Sequence, residues 1–450
     1  MTFTPGVQSS PLAALRARLN GDAGCRALVA FFATVLLVFA VVPILHCIRG
    51  HSIKDYIVWY DTGQLVLRGG EIYPPPFHKF PFMYPPSCAL FLAPVSALGK
   101  TGLITMLVVI NAAAWITSIL FSVRLATGNR RRADVLLYLI PNLIVVVYVW
   151  GNFLLGQPSL LLLALMLGAF VALRSSNNVL AGVLIAGAAA IKAFPLIAIV
   201  YLVYRRYWIA TISLALALGF LVVALPTPFR GYSRAREDLQ RWANGMLFKY
   251  DETGVAQRTE RSNSWKNQSI WGVANRMLRR VDSNFKYGLH EPVYVNFANL
   301  RFSTVNIIVV ICGIALGLAF TGAMPRRDQR TPESDAIEFA LLLILMLIFT
   351  PLSFGYLYAW LLYPFTVITQ RLLRHANLLL FSFTVAAILL LALTIPFRIW
   401  AQTYGNTFFA SLLLFVALAI ELSRLKTTRG TENQSNGISA ARASVPLYPV

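Results

Sequence analysis

The chain has 450 residues, 57% hydrophobic and only 13% charged, with a mean hydropathy of +0.65. A soluble domain carries about a quarter charged residues, so this composition excludes an ordinary soluble enzyme and points to a membrane protein. Lys plus Arg number 39 against 18 acidic residues, a net +21; because that excess falls between apolar runs, it reads as topological anchoring and headgroup contact, and no nucleic-acid partner is expected.

The first apolar run, Arg26 to Cys47, lacks a small-residue cleavage site and is followed by many more, so it reads as a retained span. Further runs cover 102–123, 135–150, 158–173, 207–226, 303–323, 335–350, 357–369, 376–396 and 407–423. They run from 13 to 22 residues, against the roughly 20 that cross a bilayer as helix. Two stretches are irregular. Residues 84–98 form a short apolar helix after Tyr84-Pro85-Pro86, and 179–203 are broken at Lys192-Ala193-Phe194-Pro195, where proline removes a backbone donor. The predicted class is an all-α polytopic membrane protein with about 10–13 transmembrane or re-entrant helices.

Basic clusters set the orientation. Arg16, Arg18 and Arg26 precede the first span, followed by Arg130-Arg131-Arg132, Arg205-Arg206, Arg326-Arg327-Arg330, Arg371-Arg374 and Arg424-Lys426-Arg429. Short basic loops stay cytoplasmic. All of them do so only if 179–203 crosses an even number of times, as a re-entrant pair bordering a cavity. The expected layout is a cytoplasmic 1–26, a membrane domain over 27–423 and a cytoplasmic, polar, disordered tail over 424–450. The membrane in question is expected to be the plasma (inner) membrane. Segments 48–83 and 227–301 then fall outside; the second carries 13 Lys/Arg and seven Asp/Glu, which a long loop tolerates. Cys25, Cys47, Cys88 and Cys312 show no CxxC spacing and read as small helix residues.

Chemistry is expected on the outer segments. Asp55 to Leu67 has helical character and stops at Gly69-Gly70. Asp55 and Asp61 sit about 240° apart on that helix, so they do not face one narrow pocket. Asp55 shares a face with Trp59 and Thr62 and fits either a catalytic carboxylate or a capping box with Ser52. Asp61 lies with Lys54 and Arg68 as salt partners, with substrate contact as its other reading. Gly156-Gln157-Pro158 marks an uncharged outer loop. Lys192, an ammonium in an apolar run, costs roughly 3 kcal/mol at a helix centre and is a functional candidate by default; snorkelling to the interface is the alternative. Asn267-Gln268-Ser269 matches a glycosylation sequon, but its amides equally suit sugar hydroxyls, and Arg276 suits a phosphate. The chain has no GxxxxGK[ST], HExxH, GxSxG or Asp-x-Asp, and no cofactor or metal is expected.

In order, Asp55-Tyr-Ile-Val-Trp-Tyr, Leu67-Arg-Gly-Gly-Glu-Ile-Tyr73, Phe82-Met-Tyr84-Pro85-Pro86, Leu92-Ala-Pro94, Gly156-Gln157, Ala181-Gly182, Ile191-Lys192 with Pro195, and Asn267-Gln268-Ser269 resemble the signature of glycosyltransferase family 87. These are polyprenol-phosphate-mannose-dependent mannosyltransferase-like proteins of GT-C type. The resemblance implies a GT-C fold, a catalytic carboxylate at Asp55 and transfer of a hexose, mannose foremost, from a polyprenyl-phosphate sugar to a lipid or glycan acceptor at the outer face. Substrate contacts are expected at Lys192, Asn267, Gln268, Arg276, Gln157, Tyr84 and Asp61. One departure stands out: where the family shows Ser-Pro-x-Ser-Trp and then paired histidines, this chain has Thr350-Pro351-Leu352-Ser353-Phe354-Gly355-Tyr356-Leu357. Arabinofuranosyl transfer from a polyprenyl-phosphate pentose stays open, and the broken helix alone also fits a secondary transporter.

Overall fold

A computed structural model describes residues 16–51, 53–74, 82–128, 133–256, 261–284 and 291–443, the side chains of 261 and 428–443 aside. Ser52, Pro75, Arg130 to Arg132 and the tail beyond 443 lie outside the described residues. The chain is an all-α polytopic membrane protein. Among the described residues, six helices are long and apolar enough to span a bilayer, and shorter apolar helices accompany them.

The first half runs α1 (Asp22–Ile48), α2 (Asp55–Leu67), α3 (Pro86–Ser96), α4 (Gly99–Thr127), α5 (Leu136–Leu155), α6 (Ser159–Arg174) and α7 (Asn178–Ile191). A 3₁₀ turn (Phe194–Ile197) leads into α8 (Ala198–Tyr204). Next comes α9 (Trp208–Gly219), which continues through a π-turn (Phe220–Ala224) into α10 (Pro226–Arg230). The second half holds α11 (Tyr232–Trp242), a two-residue hairpin of β1 (Tyr250–Asp251) and β2 (Gly254–Val255), α12 (Ile270–Leu278), α13 (Phe302–Ala323) and α14 (Pro332–Phe349). A 3₁₀ segment (Gly355–Leu361) then precedes α15 (Leu362–Arg374), α16 (Leu378–Ala392), α17 (Arg398–Thr403) and α18 (Asn406–Ala443). α18 thus carries residues 424–443 as helix, where the sequence suggests a disordered tail. Likewise, the segment 227–301, which reads as a loop, carries α11, α12 and the hairpin.

Polar side chains sort the helix ends into two groups. At one end, Arg16 pairs with Asp134, Arg205 with Glu338, Arg330 with Asp335, and Arg371 with both Glu421 and Glu333. Arg174 donates to the Leu125 carbonyl and Lys426 to that of Gly322 at this same end. The opposite end collects α2, α3, α11, α12 and α17.

The hairpin α7–α8 begins and finishes at the basic end. Asn177 caps α7 by accepting from the Leu180 amide at 3.1 Å. α7 is rich in Ala and Gly, so it sits directly on α9; a Cβ on Gly182 would lie 2.3 Å from the Ala210 carbonyl oxygen. The helix ends at Lys192, whose backbone is extended (φ −151°, ψ 126°), and Pro195 starts the 3₁₀ turn. The Ser87 hydroxyl of α3 donates to the freed Ala190 carbonyl at 2.6 Å, so the break is satisfied by protein at membrane depth.

Candidate active site

The tip of that hairpin opens on a cavity of about 530 Å³ at the end opposite the basic loops. Asp55, Tyr84, Gln157, Lys192, Trp242 and Tyr356 supply its polar and aromatic groups, while Leu196, Ile197, Met246 and Leu247 give one apolar wall.

Asp55 is positioned by the docking of α2 on the end of α5. Tyr56 and Trp59 form the buried face of α2. The Tyr56 hydroxyl donates to the Phe153 carbonyl and the Trp59 indole to that of Gly156, each at 2.7 Å. Gly156 ends α5 in the left-handed region, with φ +73°, and a Cβ there would stand 2.8 Å from the Tyr56 ring. Both constraints demand glycine. Gly156→Ala should therefore destabilise the protein by about 2 kcal/mol or more, the left-handed backbone alone costing roughly 1–2 kcal/mol. Thermal melting in detergent checks this, and a melting point equal to wild type would contradict the docking.

The turn after Gly156 delivers Gln157, which is 3% exposed. Its amide donates to the Asp55 carboxylate at 2.5 Å and accepts from the Tyr84 hydroxyl at 2.9 Å. Burial, then the neighbouring Tyr356 and Asp55, hold the Tyr84 hydroxyl well above its ordinary range, so it stays a proton donor. The Lys192 ammonium stands over the rings of Tyr356, Tyr84 and Phe194 at 5.1, 5.6 and 5.9 Å. It donates to the Tyr356 hydroxyl at 3.4 Å. Asp55, Gln157, Tyr84, Lys192 and Tyr356 are thus one continuous polar arc, with a carboxylate at one side and an ammonium at the other. Such an arc can take a proton at one point and stabilise a developing anion at another.

Tyr356 and Trp242 are the members that sequence reasoning missed. Tyr356 stands where the family motif departs, and Asn152 fixes it by donating to its carbonyl at 2.9 Å. Trp242 closes the amphipathic α11 and donates to the Met83 carbonyl at 3.2 Å.

Asn267, Gln268 and Arg276 are elsewhere. Arg276 is fully buried, and its guanidinium donates to the carbonyls of Asn263, Ser264, Asn267, Gln402 and Thr403. Asn267 donates to the Pro351 carbonyl at 2.9 Å and accepts from the Ser353 amide at 2.9 Å. Gln268 spans the Trp265 and Gln402 carbonyls, each at 2.6 Å, and accepts from Thr407. These polar groups are bonded to protein, and none of the three lines the cavity where sugar or phosphate contact was expected of them. Asn267 alone among these side chains reaches the segment 350–353, of which residues 350–352 line the cavity. Buried Asn267 is equally closed to glycosylation. Asp61 is exposed on the far side of α2 with Lys100 as its electrostatic neighbour, away from the cavity.

The profile of glycosyltransferase family 87 matches residues 82–351, more than half of the chain and all of the cavity except the α2 face and the stretch from Leu352 to Tyr356. The chain belongs to glycosyltransferase family 87. It is therefore a membrane glycosyltransferase, with a sugar donor and an acceptor. No curated protein and no solved structure matches it. In this family member the matched region contributes Tyr84, Gln157, Lys192 and Trp242 to the cavity, Tyr356 follows just after it, and the docked α2 adds the carboxylate.

Proposed function

We propose that the protein moves a hexose, mannose first among candidates, from a polyprenyl-phosphate sugar to a lipid or glycan acceptor at the outer face of the membrane. The observation that carries this reading is the Asp55–Gln157–Tyr84–Lys192–Tyr356 arc in a cavity with one apolar wall. Transfer is a single displacement at the anomeric carbon. The acceptor oxygen forms the new C–O bond and its proton passes to Asp55. The old bond to the phosphate oxygen breaks, and the polyprenyl phosphate leaves with the electron pair, its charge met by Lys192. The apolar wall suits a prenyl chain that remains in lipid. Incubating the purified enzyme with radiolabelled polyprenyl-phosphate mannose and membrane lipid extracts should label an acceptor. Transfer from a polyprenyl-phosphate pentose alone would replace hexose by arabinose, and use of a sugar nucleotide alone would overturn the lipid-linked donor.

Lys192→Met keeps the length and suits the apolar surroundings. It should lower kcat/KM for the donor by roughly 10²-fold, the effect of removing one preorganised electrostatic partner of a developing anion, with melting unchanged. Arg in its place restores part of the loss through charge, though its planar fork is no simple substitute. Full activity in Lys192→Met would make the residue an interfacial anchor.

Orientation has its own test. In a variant free of native cysteines, Cys at exposed Gln240 should react with an impermeant maleimide on intact cells, and Cys at exposed Asp328 should not. The reverse pattern would put the cavity on the cytoplasmic side.

A further inference from the structure

A second cavity, about 1050 Å³, opens between α1, α4, α5 and α15 at the basic end of the molecule. It is remote from the first: its walls include Tyr138 at the start of α5 and Arg374 at the end of α15, whereas the polar arc lies past the other end of both helices. α1 packs through Phe39 on Trp115, Trp150 and Phe153 and through Phe32 on the edge of Trp115, and the gap lies beside its first half.

The shaft of this cavity is apolar, formed by Phe32, Leu36, Trp115 and Ile119. Its mouth is polar and carries both signs of charge: Arg16 and Arg374, Asp22 and Asp134. Arg16 pairs with Asp134, and Arg374 reaches Glu333 outside the cavity. Asp22 is exposed in the first turn of α1. An apolar shaft at membrane depth, continuous with a charged mouth at the helix ends, has the profile of an amphiphile. The balance of charge narrows the headgroup. Guanidinium suits a phosphate. Carboxylates accept hydrogen bonds, which a primary ammonium can donate and a quaternary one cannot. Among the described lining residues the mouth holds two guanidinium and two carboxylate side chains, a partner for each half of a zwitterionic headgroup.

We infer that this cavity is a structural lipid site for a phospholipid whose headgroup joins a phosphate to a primary ammonium, with one acyl chain lying along α1 and Trp115.

Full-length protein reconstituted in nanodiscs of equal parts ethanolamine, choline and glycerol phospholipid, then extracted into mild detergent, provides the test by native mass spectrometry. The expected result is one retained ethanolamine phospholipid, enriched about tenfold over the others, a preference near 1.4 kcal/mol. Ala33→Trp, which fills the shaft, should remove the retained lipid without lowering folded yield. Asp22→Asn should erase the preference over choline while lipid is still held. A photoreactive acyl chain on the ethanolamine lipid should label peptides of α1 or α4 around Phe32 and Trp115. Three outcomes overturn the proposal: retained lipids in the proportions supplied, retention unchanged by Ala33→Trp, or cross-linking of the shaft to residues 1–15 of the chain in place of lipid.

Discussion

Asp55→Asn abolishes measurable transfer while expression, membrane insertion and melting stay at wild-type levels. The side-chain oxygen that accepts from Gln157 survives the change, so α2 remains docked through Tyr56 and Trp59 and only the ability to take a proton is lost. General-base contributions are typically 10²–10⁴-fold, and the cavity offers no second carboxylate among its lining residues. Rates from radiolabelled donor, with expression matched by fluorescence-detected chromatography, measure this. Activity within about threefold of wild type, under 1 kcal/mol of barrier, would remove Asp55 from the chemistry. Asp61→Asn is the control, expected to be mild because the residue faces solvent beside Lys100.

Arg276→Met gives the opposite phenotype: the ligand-free protein itself falls apart. Five carbonyls lose a guanidinium donor at once, Ser264 and Gln402 alone keeping another that is shown, and a buried acceptor left unsatisfied costs about 1–3 kcal/mol, a large share of the 5–15 kcal/mol that keeps a typical protein folded. The loop 263–267, whose Asn267 holds Pro351 and Ser353, would loosen beside the cavity wall. Burial already works against the charge, lowering the guanidinium pKa, so methionine also relieves a desolvation cost, and the net loss is expected at roughly 3 kcal/mol or more. Folded yield and melting temperature report it. Arg276→Lys, which keeps charge and some donors, should sit between. A variant that melts like wild type yet fails to use donor would return Arg276 to the phosphate.

The contrast shows what the sequence could tell. Apolar run lengths and proline breaks gave the all-α polytopic class, the α2 boundaries and the break at Lys192, because local composition dictates each of them. Asp55, Gln157 and Lys192 stood out as polar groups in settings where polarity is costly. Arg276 and Asn267 stood out for the same reason, and there the signal misled: a guanidinium holding carbonyls and one awaiting a phosphate look alike along a chain, and only burial separates them. Tyr356 was beyond reach because its partner Lys192 lies 164 positions away. The helical content of 227–301 was obscured by its charge, which here marks the exposed face of α11 and not an unstructured loop.

The re-entrant hairpin also constrains how the molecule is made. α7 has 14 residues, a rise of about 21 Å, short of the roughly 30 Å of hydrocarbon, and α8 is shorter still. Neither piece can enter the bilayer as an independent stop-transfer segment. The surface that shelters α7, including Ala210, belongs to α9, which leaves the ribosome later. α7 is held between α6 before it and α9 after it, so its burial is complete only once α9 is in place.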